Sequence, residues 1–175
     1  VECNEKNRLH FRETLFSSSS MKTSISGVIL FDETLRQISS NGISIPELIK
    51  KKGSIPGIKV DKGAKLLAGS NNEKVTEGLD GLRGRMEEYF KLGARFAKWR
   101  AVYSISAQNP SEQCIKSNAQ ALARYAALVQ EAKMVPIVEP EVLMDGDHTI
   151  EKCYDVTSRV LVECYKELSI HNVNL

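Results

Sequence analysis

Ala94-Arg95-Phe96-Ala97-Lys98-Trp99-Arg100-Ala101-Val102-Tyr103-Ser104-Ile105 is a run of strand character in which two cations, Lys98 and Arg100, sit among apolar neighbours. Side chains two apart on a strand share a face, so both cations point the same way. Before this run, Leu79, Leu82, Met86 and Phe90 recur at helical spacing and Gly93 closes them. After it, Ile115, Ala119, Leu122, Ala126 and Val129 keep the same period within Ser111 to Ala132. Helix, strand, helix is one step of a βα alternation.

The step repeats on both sides. Ser26 to Phe31, Ile55 to Val60 and Val135 to Val138 read as further strands. The four starts, near 27, 55, 95 and 135, are separated by 28, 40 and 40 residues, each interval holding a helix. That pattern predicts a parallel sheet with right-handed crossovers. Asn4 to Phe16 reads as a leading helix, and Ser17 to Ser20 as a short loop. Ser44-Ile45-Pro46-Glu47 opens a short helix in the order cap then proline, and Gly53 ends it. Asp61 to about Thr76 reads as a long loop. Ile150, Cys153, Thr157, Val160, Leu161, Cys164 and Leu168 trace one face of a last helix. His171 to Leu175 alternates like the opening of a fifth strand. The 175 residues form one domain, 1–175, expected to be incomplete at both ends: the chain starts without Met and stops inside that strand.

Composition narrows the class. Twenty-four basic and 22 acidic residues leave +2, which gives no electrostatic footprint for nucleic acid or an anionic membrane. No apolar run nears the roughly 18 residues of a bilayer span, and none has the form of a secretory signal. Cysteines at 3, 114, 153 and 164 have neither zinc spacing nor a dense disulfide frame, so a cytoplasmic location is expected. The glycines at 78, 81 and 84 have the wrong spacing for a dinucleotide loop, and no Walker-type motif occurs. A piece of a (βα) barrel gains over a nucleotide-binding fold.

Chemistry gathers at the strand ends. Lys59-Val60-Asp61, Lys98-Trp99-Arg100 and Glu139-Pro140-Glu141 each put two charges on one face. Charge inside an apolar strand is costly to desolvate, whereas the C-terminal mouth of a barrel is where catalytic groups belong. Such a set suits an anionic, oxygen-rich substrate and supplies proton transfer and an amine nucleophile. The alternative is that each pair merely ends its strand in solvent or forms a structural salt bridge; three equivalent pairs in successive units weigh against it. Asp145-Gly146-Asp147-His148 carries metal-donor atoms, but reads better as a turn followed by a cap, Asp147 or Thr149. His10, His171, the Lys50 to Lys52 run and the loop lysines Lys62 and Lys65 read as surface groups.

Gly27 to Leu35, Gly57-Ile-Lys-Val-Asp-Lys-Gly63, Phe96-Ala-Lys-Trp-Arg100, Leu122-Ala-Arg-Tyr-Ala126, Val138-Glu-Pro-Glu141 and Asp145-Gly-Asp-His148 closely resemble class I fructose-bisphosphate aldolase, in order along the whole chain. The resemblance implies a partial TIM (βα)8 barrel of about four units, roughly the second to fifth strands. It implies a Schiff-base lyase of glycolysis and gluconeogenesis that needs no cofactor or metal. It makes Glu139 the general acid/base with Glu141 beside it, and Lys98 the second active-site lysine. Lys59 and Arg100 match charged residues of the pocket, and Arg8 matches an arginine associated with substrate phosphate. Implied partners are a sugar phosphate, sister subunits of a homotetramer and, by analogy, actin; nucleic acid and membrane are not implied.

The family's Schiff-base lysine lies in a Leu-Leu-Lys-Pro motif that these residues do not contain. Without an imine as electron sink, the carbanion of carbon–carbon cleavage has nowhere to go. The chain alone is therefore expected to be inactive. Competing readings are a non-catalytic half-barrel that binds sugar phosphate or a protein, and another lysine-dependent barrel enzyme.

Overall fold

The computed structural model describes all 175 residues, Val1–Leu175. Four parallel strands, β1 (Gly27–Leu30), β2 (Ile55–Lys59), β5 (Phe96–Tyr103) and β6 (Val135–Val142), lie side by side in the order β1-β2-β5-β6. The order never reverses, as the βα spacing predicts. Around them run α1 (Glu5–Ser17), α2 (Met21–Ser24), α3 (Asp32–Arg36), α4 (Ile45–Lys51), α5 (Leu82–Lys91), α6 (Glu112–Glu131) and α7 (Ile150–Ile170). Four of the helices, α1, α4, α6 and α7, begin where side-chain caps dictate. Asn4, Ser44, Ser111 and Thr149 each accept a backbone N–H three residues on, and Pro46 sits in the first turn of α4.

Alternation along the strands separates two faces. Leu30, Ile58, Ala97, Trp99, Ala101 and Tyr103 are buried against the helix layer. Packing there is led by α6, which lies on β5 and β6 between α5 and α7. Tyr125 of α6 stacks on Trp99 at 5.4 Å between ring centres and aims its O–H between the carbonyls of Ala97 (2.7 Å) and Ile137 (3.1 Å). Burial of each such large side chain stabilises the fold by about 1.5–3 kcal/mol.

The other face is open. Its N-terminal half is apolar: Ile29, Ile55, Val135 and Ile137 are exposed, and the Phe96 ring lies across the backbone of Gly57 and Gly27. A Cβ at Gly57 would overlap that ring, so only glycine accommodates it. The C-terminal half of the same face carries the charges.

Four features depart from the sequence reading. The stretch from Asp61 to Thr76 is not all loop, because Ala64–Leu66 (β3) pairs antiparallel with Lys74–Thr76 (β4). Local alternation is too short to announce these strands; tertiary bonds hold them. Thr76 N–H reaches Asn118 Oδ1 (3.0 Å), Thr76 Oγ1 donates to Arg100 O (2.8 Å), and Asn118 Nδ2 donates to Lys74 O (2.9 Å). β6 extends to Val142 in spite of two prolines. The N–H groups of Val135 and Leu143 face β5, so alternation turns positions 136 and 140 toward the unpaired edge, where a missing N–H costs nothing. The short helices α2 and α3 fill segments without helical period, and α5 begins at Leu82 rather than Leu79. His171 to Leu175 forms no strand: Val173 is buried, and Asn174 exchanges two bonds with the Gln130 side chain (2.7 and 3.0 Å).

Candidate active site

Parallel register places the charged positions side by side at the C-terminal half of the open face. Lys59 lies opposite Lys98, and Arg100 opposite Glu139. Two ammonium groups on opposed positions repel, so each side chain turns to a carboxylate. Lys59 Nζ bonds Asp61 Oδ1 at 2.5 Å, and Lys98 Nζ bonds Glu139 Oε2 at 2.8 Å. Arg100 reaches Glu141 Oε2 at 3.1 Å. Glu139 and Glu141 each accept from the cation two residues before their own partner on β5, a stagger that draws both pairs along the strand.

Three cations thus meet three carboxylates on one face. All are partly open to solvent except Asp61, whose side chain is buried. Beside Lys59 a cleft of about 760 Å³ runs between α3, α5 and the end of β2, bordered by Phe31, Asp32, Lys62 and Arg85. An incoming oxyanion competes with these carboxylates for the cations, while a carboxylate two to three ångströms from an ammonium is oriented to exchange a proton with a substrate hydroxyl.

The pairs foreseen from residues two apart therefore come together as one constellation, with Lys98, Glu139, Arg100, Glu141 and Lys59 all on it. Arg8 stands apart from these pairs. It lies on α1 and bonds Glu33 of α3 (2.6 Å), which Arg12 also holds (2.7 Å). Those two guanidinium groups pull the Glu33 carboxyl down to about 2. Sequence reasoning passed over Glu33, Arg12 and Arg85; their partners are distant in the chain, and no local spacing marks them.

The other candidates resolve into structure. Thr149 caps α7, with Lys152 N–H on its hydroxyl (3.3 Å), and no three His, Cys, Asp or Glu side chains gather to hold a metal ion. Cys114 and Cys164 are buried, and burial pushes both thiols up to about 11, far from thiolate chemistry. No helix is long and apolar enough to cross a membrane.

Comparison with known proteins gives the family. The family model described as fructose-bisphosphate aldolase class-I matches residues 1–175. A "Probable fructose-bisphosphate aldolase class 1" from Xanthomonas campestris pv. campestris is 56% identical over 175 residues, which is 100% of this chain and 52% of the relative. "Fructose-bisphosphate aldolase 6, cytosolic" from Arabidopsis thaliana is 54% identical over 100% of this chain and 49% of its own length. The solved structure of fructose-bisphosphate aldolase from Plasmodium falciparum, in complex with TRAP and a small molecule inhibitor, matches with a TM-score of 0.93 at 46% identity. It covers 96% of this chain and 49% of that one. The chain spans about half the length of the curated relatives it matches. It belongs to the class I fructose-bisphosphate aldolase family, and its open sheet is an arc of that family's (βα) barrel.

Proposed function

We propose that the chain supplies the acid–base and anion-binding half of a class I fructose-bisphosphate aldolase site. The reaction is reversible cleavage of fructose 1,6-bisphosphate to dihydroxyacetone phosphate and glyceraldehyde 3-phosphate, in glycolysis and gluconeogenesis. The observation that carries this reading is the 2.8 Å Lys98–Glu139 pair on the open face, flanked by Lys59 and Arg100.

In this account Glu139 takes the proton of the substrate's C4 hydroxyl as the C3–C4 bond breaks, and the bonding electrons pass to an imine nitrogen on a lysine outside these 175 residues. Lys98 holds the Glu139 carboxylate in place and contacts substrate. Lys59 and Arg100 bind anionic oxygens, and Glu141 restrains Arg100. Arg8 serves a substrate phosphate only by leaving Glu33, which makes it the weakest ligand of the set. The cytosolic Arabidopsis relatives support a cytoplasmic enzyme, and the family resemblance a homotetramer. The Plasmodium aldolase was solved in complex with TRAP, which supports a second reading, contact with a protein partner; a cytoskeletal filament in that role rests on the family resemblance alone.

Borohydride trapping tests the proposal. With fructose 1,6-bisphosphate the isolated chain is expected to give no specific adduct, and a full-length aldolase carrying this sequence is expected to give one, on a lysine other than Lys59 or Lys98. Stoichiometric labelling of either of those two would overturn the assignment of roles.

A further inference from the structure

Three buried polar atoms without a partner, Asp61 Oδ2, Arg85 Nε and Trp99 Nε1, lie around the end of β2. The backbone there leaves no slack. Arg85 donates to the carbonyls of Val60 (2.9 Å) and Gly78 (2.5 Å), clasping the chain just before Asp61. Gly78, at φ +133°, packs so closely that a Cβ would stand 3.2 Å from Asp61 Cα and 3.3 Å from the Trp99 ring. Asp61 is thus fixed on a rigid seat, with 3% of its side chain exposed against 40% for Lys59.

A buried carboxylate is tolerated only where donors compensate it. Asp61 Oδ1 takes two, Lys59 Nζ at 2.5 Å and the Gly63 N–H at 3.0 Å, and Oδ2 takes none. Lys59 is therefore the single charged donor that Asp61 has. The converse matters more for chemistry. Lys59 lies opposite Lys98 in the ladder, on the face that also carries Glu139. A flexible ammonium in that position, left without a carboxylate of its own, would compete with Lys98 for Glu139 or repel it.

We infer that Asp61 is a positioning residue: its immobile carboxylate holds the Lys59 ammonium on its own strand, aimed at substrate oxyanion and away from the Lys98–Glu139 pair. The inference rests on the aldolase reading of the site, but the part played by Asp61 is separable from it. Asp61 touches no reacting atom in this account. It acts through Lys59 alone.

The test is a double-mutant cycle in a full-length aldolase carrying this sequence, read as KM and kcat for fructose 1,6-bisphosphate. Asp61→Asn keeps the shape and the acceptor for Gly63 while removing the charge, and is expected to raise KM about tenfold and to lower kcat about three- to tenfold, because the freed Lys59 ammonium disturbs the Lys98–Glu139 pair. Lys59→Met is expected to raise KM alike with kcat within about twofold, and the double variant to match Lys59→Met in both, kcat included. Additive effects, or a normal KM in Asp61→Asn beside a raised KM in Lys59→Met, would overturn the inference and leave the aldolase reading standing. A neutral Lys59→Met would remove Lys59 from the substrate site and the inference with it. If Asp61→Asn fails to fold, Asp61→Glu replaces it. That variant keeps the charge but moves it by one methylene, so a raised KM supports the inference and a normal KM overturns it.

Discussion

The two faces of the four-stranded sheet are made by alternate residues of the same strands, yet they answer to different physics. Toward the helices, Ala97, Trp99, Ala101 and Tyr103 are sealed from water. Toward the open side, their neighbours Phe96, Lys98, Arg100 and Val102 meet solvent or an ionic partner. One face is organised by close packing, the other by pairing of charge. Side chains on the first should be intolerant of loss, and those on the second should matter to chemistry far more than to stability.

Stability measurements on the chain sharpen that contrast. Trp99→Ala empties a fully buried site stacked on Tyr125 and is expected to cost about 3–5 kcal/mol in urea denaturation followed by circular dichroism. Gly57→Ala drives the Phe96 ring off the open face; the ring has solvent to swing into, so the expected loss is nearer about 1–2 kcal/mol. Val135→Ala, at a side chain 65% exposed, is expected to stay within about 0.5 kcal/mol. A loss at Val135 equal to that at Trp99 would abolish the distinction between the faces.

A smaller, pH-dependent effect marks the ion pairs at the rim. The Glu33 carboxyl is held near 2 by Arg8 and Arg12, below its ordinary value of 4.5. A carboxyl lowered on folding adds stability that is fully present above 4.5 and fades as pH falls toward 2. The gap in melting temperature between the parent chain and Glu33→Gln should therefore be constant near neutrality and close across that acid window. A gap independent of pH would mean that Glu33 contributes through packing alone.

The same contrast decides what could be read without coordinates. The helix-facing side announces itself by period, and the four strands and their order follow from the βα spacing. That Lys59, Lys98, Arg100, Glu139 and Glu141 share one face was legible because charges two apart on a strand point the same way. What stayed hidden depends on contacts distant in sequence. The β3–β4 hairpin is held by Asn118, some 40 residues away, and the Arg8–Glu33 pair spans 25. Asp61 was visible as a charge, but its burial beside Arg85 and Gly78 was not, since no local pattern records which carboxylate loses its water.

The central claim is that Glu139 exchanges the substrate proton while the surrounding cations bind. Steady-state cleavage of fructose 1,6-bisphosphate by Glu139→Gln, in a full-length aldolase carrying this sequence, tests it most directly. The isosteric amide still accepts from Lys98 but takes no proton, so kcat is expected to fall by about 10²–10⁴ with KM within about threefold. Unchanged kcat, or a loss confined to KM, would contradict the account and make the Lys98–Glu139 pair a structural salt bridge.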